Sequence, residues 1–484
     1  MRIALREEEV ALFRNIAKCT VELKTRAFVI GGFVRDRLLG RPSVDIDIVC
    51  EDNGVELAKL FARKIGMENQ LSTYSKFGVA MVNYGPYEIE FVGARKESYS
   101  PDSRKPFVSR GTLEDDQWRR DFTINALGIS LNDLHSNSND TSEGPIEVDV
   151  VDPFDGVLDA ENKIIRTPAD PDQTFSDDPL RMLRGIRFAS QLHFTIEEAT
   201  LASIRKNVGR IDIVSNERIS AEFNKIMASE SPSIGLILLE ETGLMTHILP
   251  ELSAMNEVEF KNGKGHKNNF YHTAEVVDNV AKNSEDLWLR WAALLHDIGK
   301  PKTKRYEESV GWTFHGHEVV GGRMVKPIFR RMRLPLDHKM KFVRKLVRLH
   351  LRPIALVDED TTDSAVRRLL FEAGEDIDDL MILCEADITS KNQGKVARYR
   401  KNYERVREKM LEVEQKDQLR NWEPPIDGDI IMKTFDLKPG KTVGIIKTAI
   451  REAILDGKIG NTFEDAHTFM IEKGLELGLQ QREA

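Results

Sequence analysis

The sequence predicts an α/β head followed by a long helical remainder. Three observations carry this. Short β-rich runs crowd the N-terminal part: AFVIGG (Ala27 to Gly32), the alternating VDIDIVC (Val44 to Cys50), and VAMVNY and YEIEFV on either side of Gly85-Pro86, a turn signal. From about Pro168 onward, apolar residues recur at helical spacing instead, as in Ile219, Phe223 and Ile226. The 484 residues allow about three domains at roughly 150 residues each, every one long enough to bury a core. The expected order is a head over residues 1–150, a helical neck over 151–255, a third segment over 256–395 and a helical tail over 396–484.

Hydrophobic residues make up 40% and charged residues 31% of the chain, an ordinary globular balance that excludes a fibrous or disordered class. No run of about 18 apolar residues exists, so no membrane partner is expected. The opening MRIALREEEVALFRNIAK is helix-patterned and lacks the apolar stretch of a secretory leader. Cys19, Cys50 and Cys384 are too few and too scattered for a disulfide framework or a thiolate metal site, so a reduced, cytoplasmic protein is expected. The net charge of −9, from 70 basic and 79 acidic residues, excludes nucleic-acid binding by bulk charge but not by local charge. Two runs oppose the mean: Arg323 to Arg352, and Lys395 to Met410. Each alone reads as a solvated helix face; together, in an acidic chain, they point to an anionic partner.

The strongest local signal is GGFVRDRLLGRPSVDIDIV, Gly31 to Val49. Paired glycines after a strand, opening a short helix, let backbone N–H groups approach phosphate oxygens, and Arg35 lies within reach of the same anion. In the strand that follows, Asp45 and Asp47 share a face while Ile46 and Ile48 point into a core. Two carboxylates on one face repel unless a divalent cation bridges them; the bland alternative is a half-buried strand with a polar outer side. A third carboxylate is expected from a neighbouring strand. In YEIEFVGAR, Glu88 and Glu90 share a face, and Glu90, nearer the strand's end, is the choice, with Glu88 the alternative.

GGFVRD and DID, followed by RRDFTINAL (Arg119 to Leu127), DPFDG (Asp152 to Gly156), DDPLRMLRGIRFA (Asp177 to Ala189) and NERISAEFNKI (Asn216 to Ile226), form an ordered set over roughly the first half of the chain. The set resembles the bacterial class of CCA-adding tRNA nucleotidyltransferases and the related bacterial poly(A) polymerases. The resemblance implies a nucleotidyltransferase head, a mixed sheet with flanking helices, followed by an all-α neck. It implies that Asp45 and Asp47 bind Mg²⁺ and that Glu90 helps activate an RNA 3′-hydroxyl. Gly32, Arg35 and Arg120 would contact a triphosphate, and Asp121 and Asn125 would shape the sugar site. A local salt-bridge network is the structural alternative for Arg119-Arg120-Asp121.

Arg181, Arg184 and Arg187 recur every third residue and lie along one helix flank. Asp178 before Pro179 reads as a helix cap. It can also join Arg181 in presenting one acceptor and one donor fork to a base edge, a pattern that cytosine and adenine satisfy and guanine and uracil do not. Asp177 stands where the family usually has Glu, and a shorter carboxylate still accepts hydrogen bonds. The segment between Glu90 and Arg119, with Arg104, Lys105 and Arg110, reads as a mobile loop of full length. In the family such a loop is needed for the final A, which favours complete CCA addition.

In the second half, His296-Asp297 ends the helical stretch LWLRWAALLHDIGKP, His272 opens another, His350 ends a basic helix and Asp387 lies in LCEADITSKN. This order resembles the HD-domain phosphohydrolases. The resemblance implies an HD-type helical domain with His272, His296, Asp297 and Asp387 as metal ligands. His350 and either His317 or His315 match extra ligands. Imidazole with carboxylate suits Mn²⁺, Fe²⁺, Ni²⁺ or Mg²⁺, and the chemistry is metal-activated attack of water on a phosphate ester. The expected function is template-independent addition of C, C and A to tRNA from CTP and ATP, with a phosphohydrolase in the HD domain. Arg330, Arg331 and Lys345 are the expected RNA contacts, on the acceptor arm. The rivals are a poly(A) polymerase, a CC-adding enzyme, and an HD phosphohydrolase with an RNA-binding head.

Overall fold

The structure, a computed structural model, describes residues 1–74, 78–100, 103–136, 146–261, 264–265, 268–356, 362–390, 392–417 and 424–481. The chain forms two compact units, Met1–Ile248 and Leu249–Ala484. Among the described residues no helix is long and apolar enough to cross a membrane.

The first unit is built on a six-stranded mixed sheet in the spatial order Leu71–Tyr74, Val79–Tyr84, Tyr87–Gly93, Asp45–Cys50, Ala27–Ile30, Gly128–Ser130. Asp45–Cys50 runs parallel to Tyr87–Gly93, and the other neighbours are antiparallel. Helices Glu7–Leu23 and Gly54–Lys64 cover one face, where Phe13, Ile16 and Phe61 join Ile46, Ile48, Ile89 and Phe91 in one core. Ile46 and Ile48 are fully buried. A one-residue slip of their strand in either direction would put Asp47 into the core, so the core pins the register.

The DPFDG segment braces the loop beside this sheet. Asp152 accepts hydrogen bonds from the amides of Gly156 (2.7 Å) and Val157 (2.9 Å), opening helix Gly156–Glu161. Buried Asp159 accepts from Thr123 Oγ1 (2.6 Å) and pairs with Arg166 (2.8 Å). Beyond it, helix Leu180–Leu192, which carries the arginine flank, packs on helices Asn216–Met227 and Pro232–Glu241.

The second unit is mainly helical. Helices Asn269–Ala281, Leu287–Leu295, His317–Arg331, His338–Leu349 and Ile377–Ala386 pack together, with Trp291 and Phe329 fully buried and their rings 5.8 Å apart. Helices Gly428–Phe435, Lys441–Leu455 and Phe463–Glu476 share a smaller core of Ile431, Ile446, Ile450 and Met470.

Two expectations need correction. The segment after Glu90, read as a loop, contains an antiparallel hairpin, Arg95–Ser100 with Ser103–Arg110. Its apolar residues, Tyr99 and the consecutive Pro106, Phe107 and Val108, do not alternate with polar ones, so no period of two announces the strands. Strands also persist beyond Pro168, for example Arg305–Glu307 with Gly311–Thr313, and three residues are too few to show a period. The polar insertion begins with helix Leu131–Ser136, and its remainder, 137–145, lies outside the described residues, as do the side chains of Arg104 and Lys105.

A Cβ at Gly156 would lie 2.3 Å from the Thr123 carbonyl oxygen. Gly156→Ala is therefore expected to destabilise the first unit by about 1–3 kcal/mol, the cost of overpacking. Denaturant titration followed by tryptophan fluorescence and circular dichroism checks this; an unchanged midpoint would show that the brace yields freely.

Candidate functional site

The register of the central strands assembles the head site. Asp47 stands opposite Glu90 and Asp45 opposite Glu88 across the parallel pair, while Ile30 stands opposite Asp47 on the other side. All four carboxylates border one cleft of about 590 Å³. Glu90 is half-buried beside Asp47, whereas Glu88 is exposed. Burial raises the Asp47 carboxyl above its usual range; Arg120 opposes the shift and Asp45 adds to it. Burial and then the Asp47 charge raise Glu90. Neighbouring carboxylates pushed up in this way are under-compensated, which is the donor set a divalent cation satisfies. Asp45 and Asp47 could hold a divalent cation here.

The opposite wall is cationic and held by a hydrogen-bonded chain. Arg35 Nη1 donates to Asn125 Oδ1 (2.7 Å), Asn125 Nδ2 donates to Asp121 Oδ1 (3.0 Å), and Arg184 Nε donates to Asp121 Oδ2 (2.6 Å). Burial alone would raise the Asp121 carboxyl, but Arg184 and the Asn125 amide outweigh it and hold it well below its ordinary value. Arg187 is paired with buried Glu222 (3.0 Å), and its burial lowers it to about 10. Arg120 is clipped to the fully buried Asp116 and reaches the Asn125 carbonyl (3.3 Å). Gly31, at φ 86°, turns the chain into helix Gly32–Leu38, and a Cβ there would lie 2.7 Å from Arg120 Nη1.

Gly32, Arg35, Arg120, Asp121, Asn125, Arg184 and Arg187 thus meet Asp45, Asp47 and Glu90 in one cleft. Asp178 and Arg181 are not among the residues that border it. Asp178 Oδ1 accepts from the Leu180 amide (3.2 Å), its Oδ2 pairs with Arg218 (3.1 Å), and Arg181 donates to the Arg119 carbonyl.

Sequence reading missed Phe188 and Lys225, both in the cleft wall. Phe188 stacks under three guanidinium groups, Arg187 at 4.2 Å, Arg35 at 5.0 Å and Arg184 at 5.7 Å from its ring centre. The signal was present in the arginine spacing, since residue 188 shares a helix flank with 184, but an aromatic at an apolar helical position reads first as core.

In the second unit, His272, His296, Asp297 and Asp387 lie close together, and His317 and His350 join them. His315 is exposed and stands apart from the cluster. Asp297 divides its oxygens. Oδ1 faces His317 Nε2 (3.2 Å) and His350 Nε2 (3.8 Å), and Oδ2 faces His296 Nε2 (3.3 Å) and His272 Nε2 (3.7 Å). Asp387 Oδ1 lies 2.8 Å from His272 Nε2 and 3.6 Å from His296 Nε2.

Most of these residues sit at helix ends, where the backbone orients the rings. His296, His317 and His350 donate from Nδ1 to the carbonyls of Ala293, Phe314 and Val347, so each turns Nε2 inward. Two overlapping triads result, His272/His296/Asp297 and Asp297/His317/His350, each with its ligand atoms within 4.8 Å of one another. Gly299 makes this approach possible, because a Cβ there would lie 2.2 Å from the His317 carbonyl oxygen. Burial disfavours a charged His296, yet Asp297 and Asp387 outweigh it and push it up to about 10. Burial and the His296 charge lower His350 to about 4. The buried His296 Nε2 has no hydrogen-bond partner. An inward imidazole nitrogen beside two carboxylates fits a borderline divalent metal.

Two outcomes are expected from this geometry. Phe188→Leu should raise KM for a nucleoside triphosphate about ten- to a hundredfold, since three cation–π contacts of about 0.5–1 kcal/mol each are lost. Phe188→Tyr should retain the wild-type value, and equal KM values in steady-state assays would show that the arginines hold themselves. Asp297 belongs to both triads, so Asp297→Ala should empty the cluster of metal while His350→Ala spares the other triad. Elemental analysis of the purified proteins decides, and full metal content in Asp297→Ala would exclude these ligands.

Three family models match the chain: the poly(A) polymerase head domain at residues 27–166, the probable RNA- and SrmB-binding site of polymerase A at 193–255, and the HD domain at 269–392. An A-adding tRNA nucleotidyltransferase of Deinococcus radiodurans is 30% identical over 458 residues, 92% of this chain and 94% of that protein. A multifunctional CCA protein of Stenotrophomonas maltophilia is 32% identical over 384 residues, 75% of this chain and 85% of that protein. The fold is shared with the CCA-adding enzyme of Bacillus stearothermophilus in complex with CTP, at TM-score 0.66 and 22% identity over 98% of this chain and 99% of that one. Likeness to the Deinococcus protein along nearly the whole of both chains, together with the head and HD matches, makes this chain a nucleotidyltransferase of the tRNA nucleotidyltransferase and poly(A) polymerase family, with an HD domain in its second half.

Proposed function

We propose that this chain adds C, C and A to the 3′ end of tRNA from CTP and ATP. The observation that carries the reading is the cleft with under-compensated carboxylates on one wall and Arg35, Arg120, Arg184 and Arg187 on the other. A nucleoside triphosphate offers those cations its phosphates, and Asp45 and Asp47 would hold a divalent ion such as Mg²⁺. When bound, such an ion would supply neutralisation of the phosphate charge. Asp45 and Asp47 fix its place, Glu90 accepts the hydrogen bond of the RNA 3′-hydroxyl, and the Arg35–Asn125–Asp121–Arg184 chain keeps the donors preorganised. Solved relatives described as bound to CTP, ATP and tRNA support the same substrates.

A second reading, addition of A alone, is favoured by the Deinococcus relative, whose likeness runs along nearly the whole chain. Transcripts of tRNA ending before CCA, after C and after CC, each offered single labelled triphosphates and then CTP with ATP, separate the two. Complete addition to all three supports CCA synthesis, and extension of the CC end alone supports A addition. Long A tails, or two C with no A, would replace both readings with the polymerase or the CC-adding enzyme. Asp47→Asn should abolish every incorporation.

For base choice we propose Asp178 and Arg181. Each already makes the kind of bond a base edge would replace: an acceptor bonded to Arg218 and a donor bonded to a carbonyl. Arg181→Ala should lower kcat/KM for the correct triphosphates about ten- to a hundredfold, the worth of a charge-assisted hydrogen bond, and relax discrimination against UTP. Discrimination equal to wild type in a competition assay would move the choice elsewhere.

For the HD cluster we propose metal-dependent phosphate-ester hydrolysis, such as clearing a 2′,3′-cyclic phosphate from a damaged tRNA end. The convergent Nε2 atoms around Asp297 support it, and Mn²⁺, Fe²⁺, Ni²⁺ and Mg²⁺ are the ions to compare. On the helices of the second unit, Arg330, Arg331 and Lys345 are the RNA contacts expected from the sequence. Arg331 is held bidentately by Glu251 (2.5 and 2.7 Å), and Lys345 by Asp376 (2.6 Å) and the Ala373 carbonyl (3.0 Å).

A further inference from the structure

We infer that the groove between helices His317–Arg331 and His338–Leu349 is an RNA-docking surface whose phosphate contacts are Lys341, Arg344 and Arg348. The inference rests on the reading that this chain acts on tRNA, and it assigns the contact to other residues than charge counting selects.

Helix His338–Leu349 is strongly two-sided. Met340, Val343, Leu346 and Val347 are buried, while Lys341, Arg344, Lys345 and Arg348 line the groove on the other side. The cations differ in what they are already doing. Lys345 is committed to Asp376, and Arg352 lies 4.0 Å from Glu372. Among the described residues, Lys341, Arg344 and Arg348 have no carboxylate partner. The groove therefore carries an excess of positive charge, five cations against Glu318 and Glu372 on its wall, in a chain whose net charge is −9. Glu318 also borders it and lies 4.0 Å from His317.

The wall is built rather than incidental. A Cβ at Gly322 would lie 2.4 Å from Arg348 Cγ, so the absence of a side chain on the facing helix lets the Arg348 stem lie flat across it. Val319, Leu349 and Leu351 give the groove an apolar part.

Lys341 and Arg348 are seven residues apart, about 10 Å along the axis. That exceeds a single phosphate group and suits a repeating polyanion. An acidic protein surface would share the charge, but the groove lacks the aromatic side chains that anchor protein interfaces. RNA is the polyanion on which this family's chemistry acts. Contacts to phosphate position a strand without reading its sequence, as an enzyme serving many tRNAs requires.

The test uses the full-length protein and a labelled tRNA transcript lacking CCA, with affinity measured by anisotropy across a salt series. The variant K341A/R344A/R348A should bind at least tenfold more weakly. Its log–log salt slope should be shallower by about two, since each phosphate contact contributes about 0.7–0.9. KM for tRNA should rise with KM for CTP unchanged, and K341R/R344K/R348K should restore binding. E251Q/R331Q/K345Q/D376N, which removes both ion pairs whole and leaves the net charge unchanged, should change affinity less than threefold. If wild type extends tRNA and the triple alanine variant keeps its affinity and slope, the groove assignment is overturned while the proposed function stands. If wild type neither binds nor extends tRNA, both fall.

Discussion

The head depends on one packing constraint: Ile46 and Ile48 must be buried. Their side chains fill the core beneath the sheet, and the pleat then turns Asp45 and Asp47 to the opposite face. Because Tyr87–Gly93 pairs in parallel and in register, Glu88 and Glu90 arrive beside them. The fold therefore spends hydrophobic burial to concentrate like charges, an arrangement the carboxylates would not adopt by themselves. The glycine turn after Ile30 and the arginines across the cleft are the counterparts that make such a concentration useful. Phosphates bring more negative charge, and only cations on the facing wall together with a divalent ion make their entry favourable.

The histidine–aspartate cluster solves a related problem with helices. A strand fixes direction by its pleat; a helix end fixes it through free carbonyls. His296, His317 and His350 each spend Nδ1 on a carbonyl three residues back, which leaves Nε2 as the only nitrogen able to meet a partner. Gly299 removes the one atom that would hold the two relevant helix ends apart. In both sites the functional atoms are aimed by ordinary backbone rules, and a glycine sits where two backbones must come closest.

Much of this was legible in the sequence, because the rules are local. Alternation around DID, a glycine pair after an apolar run, and His-Asp at the end of an apolar helix are each visible within a dozen residues. What escaped notice is non-local or unpatterned. Phe188 matters because Arg35 reaches it from another element, and a helical apolar position gives no hint of that. The apolar residues of the hairpin Arg95–Arg110, Tyr99 and the consecutive Pro106, Phe107 and Val108, do not alternate, so no period reveals it. Choosing between His315 and His317 required knowing which of two neighbours begins the helix.

Charge is where sequence and structure part most clearly, and the reason is pairing. A basic run counts cations, but a cation acts on a ligand only with the charge its own neighbours leave uncompensated. Asp178 and Arg181, an acceptor and a donor fork along the sequence, already hold Arg218 and a carbonyl. Arg331 and Lys345 look equivalent to Lys341 and Arg344 along the chain, yet two carboxylates elsewhere in the second unit, Glu251 and Asp376, claim the former and leave the latter. An exposed ion pair contributes little to stability, because solvent screens it and two long side chains lose their freedom. Its larger consequence here is selective: by neutralising some cations and not others, such pairs decide which part of a basic helix a polyanion meets as positive charge.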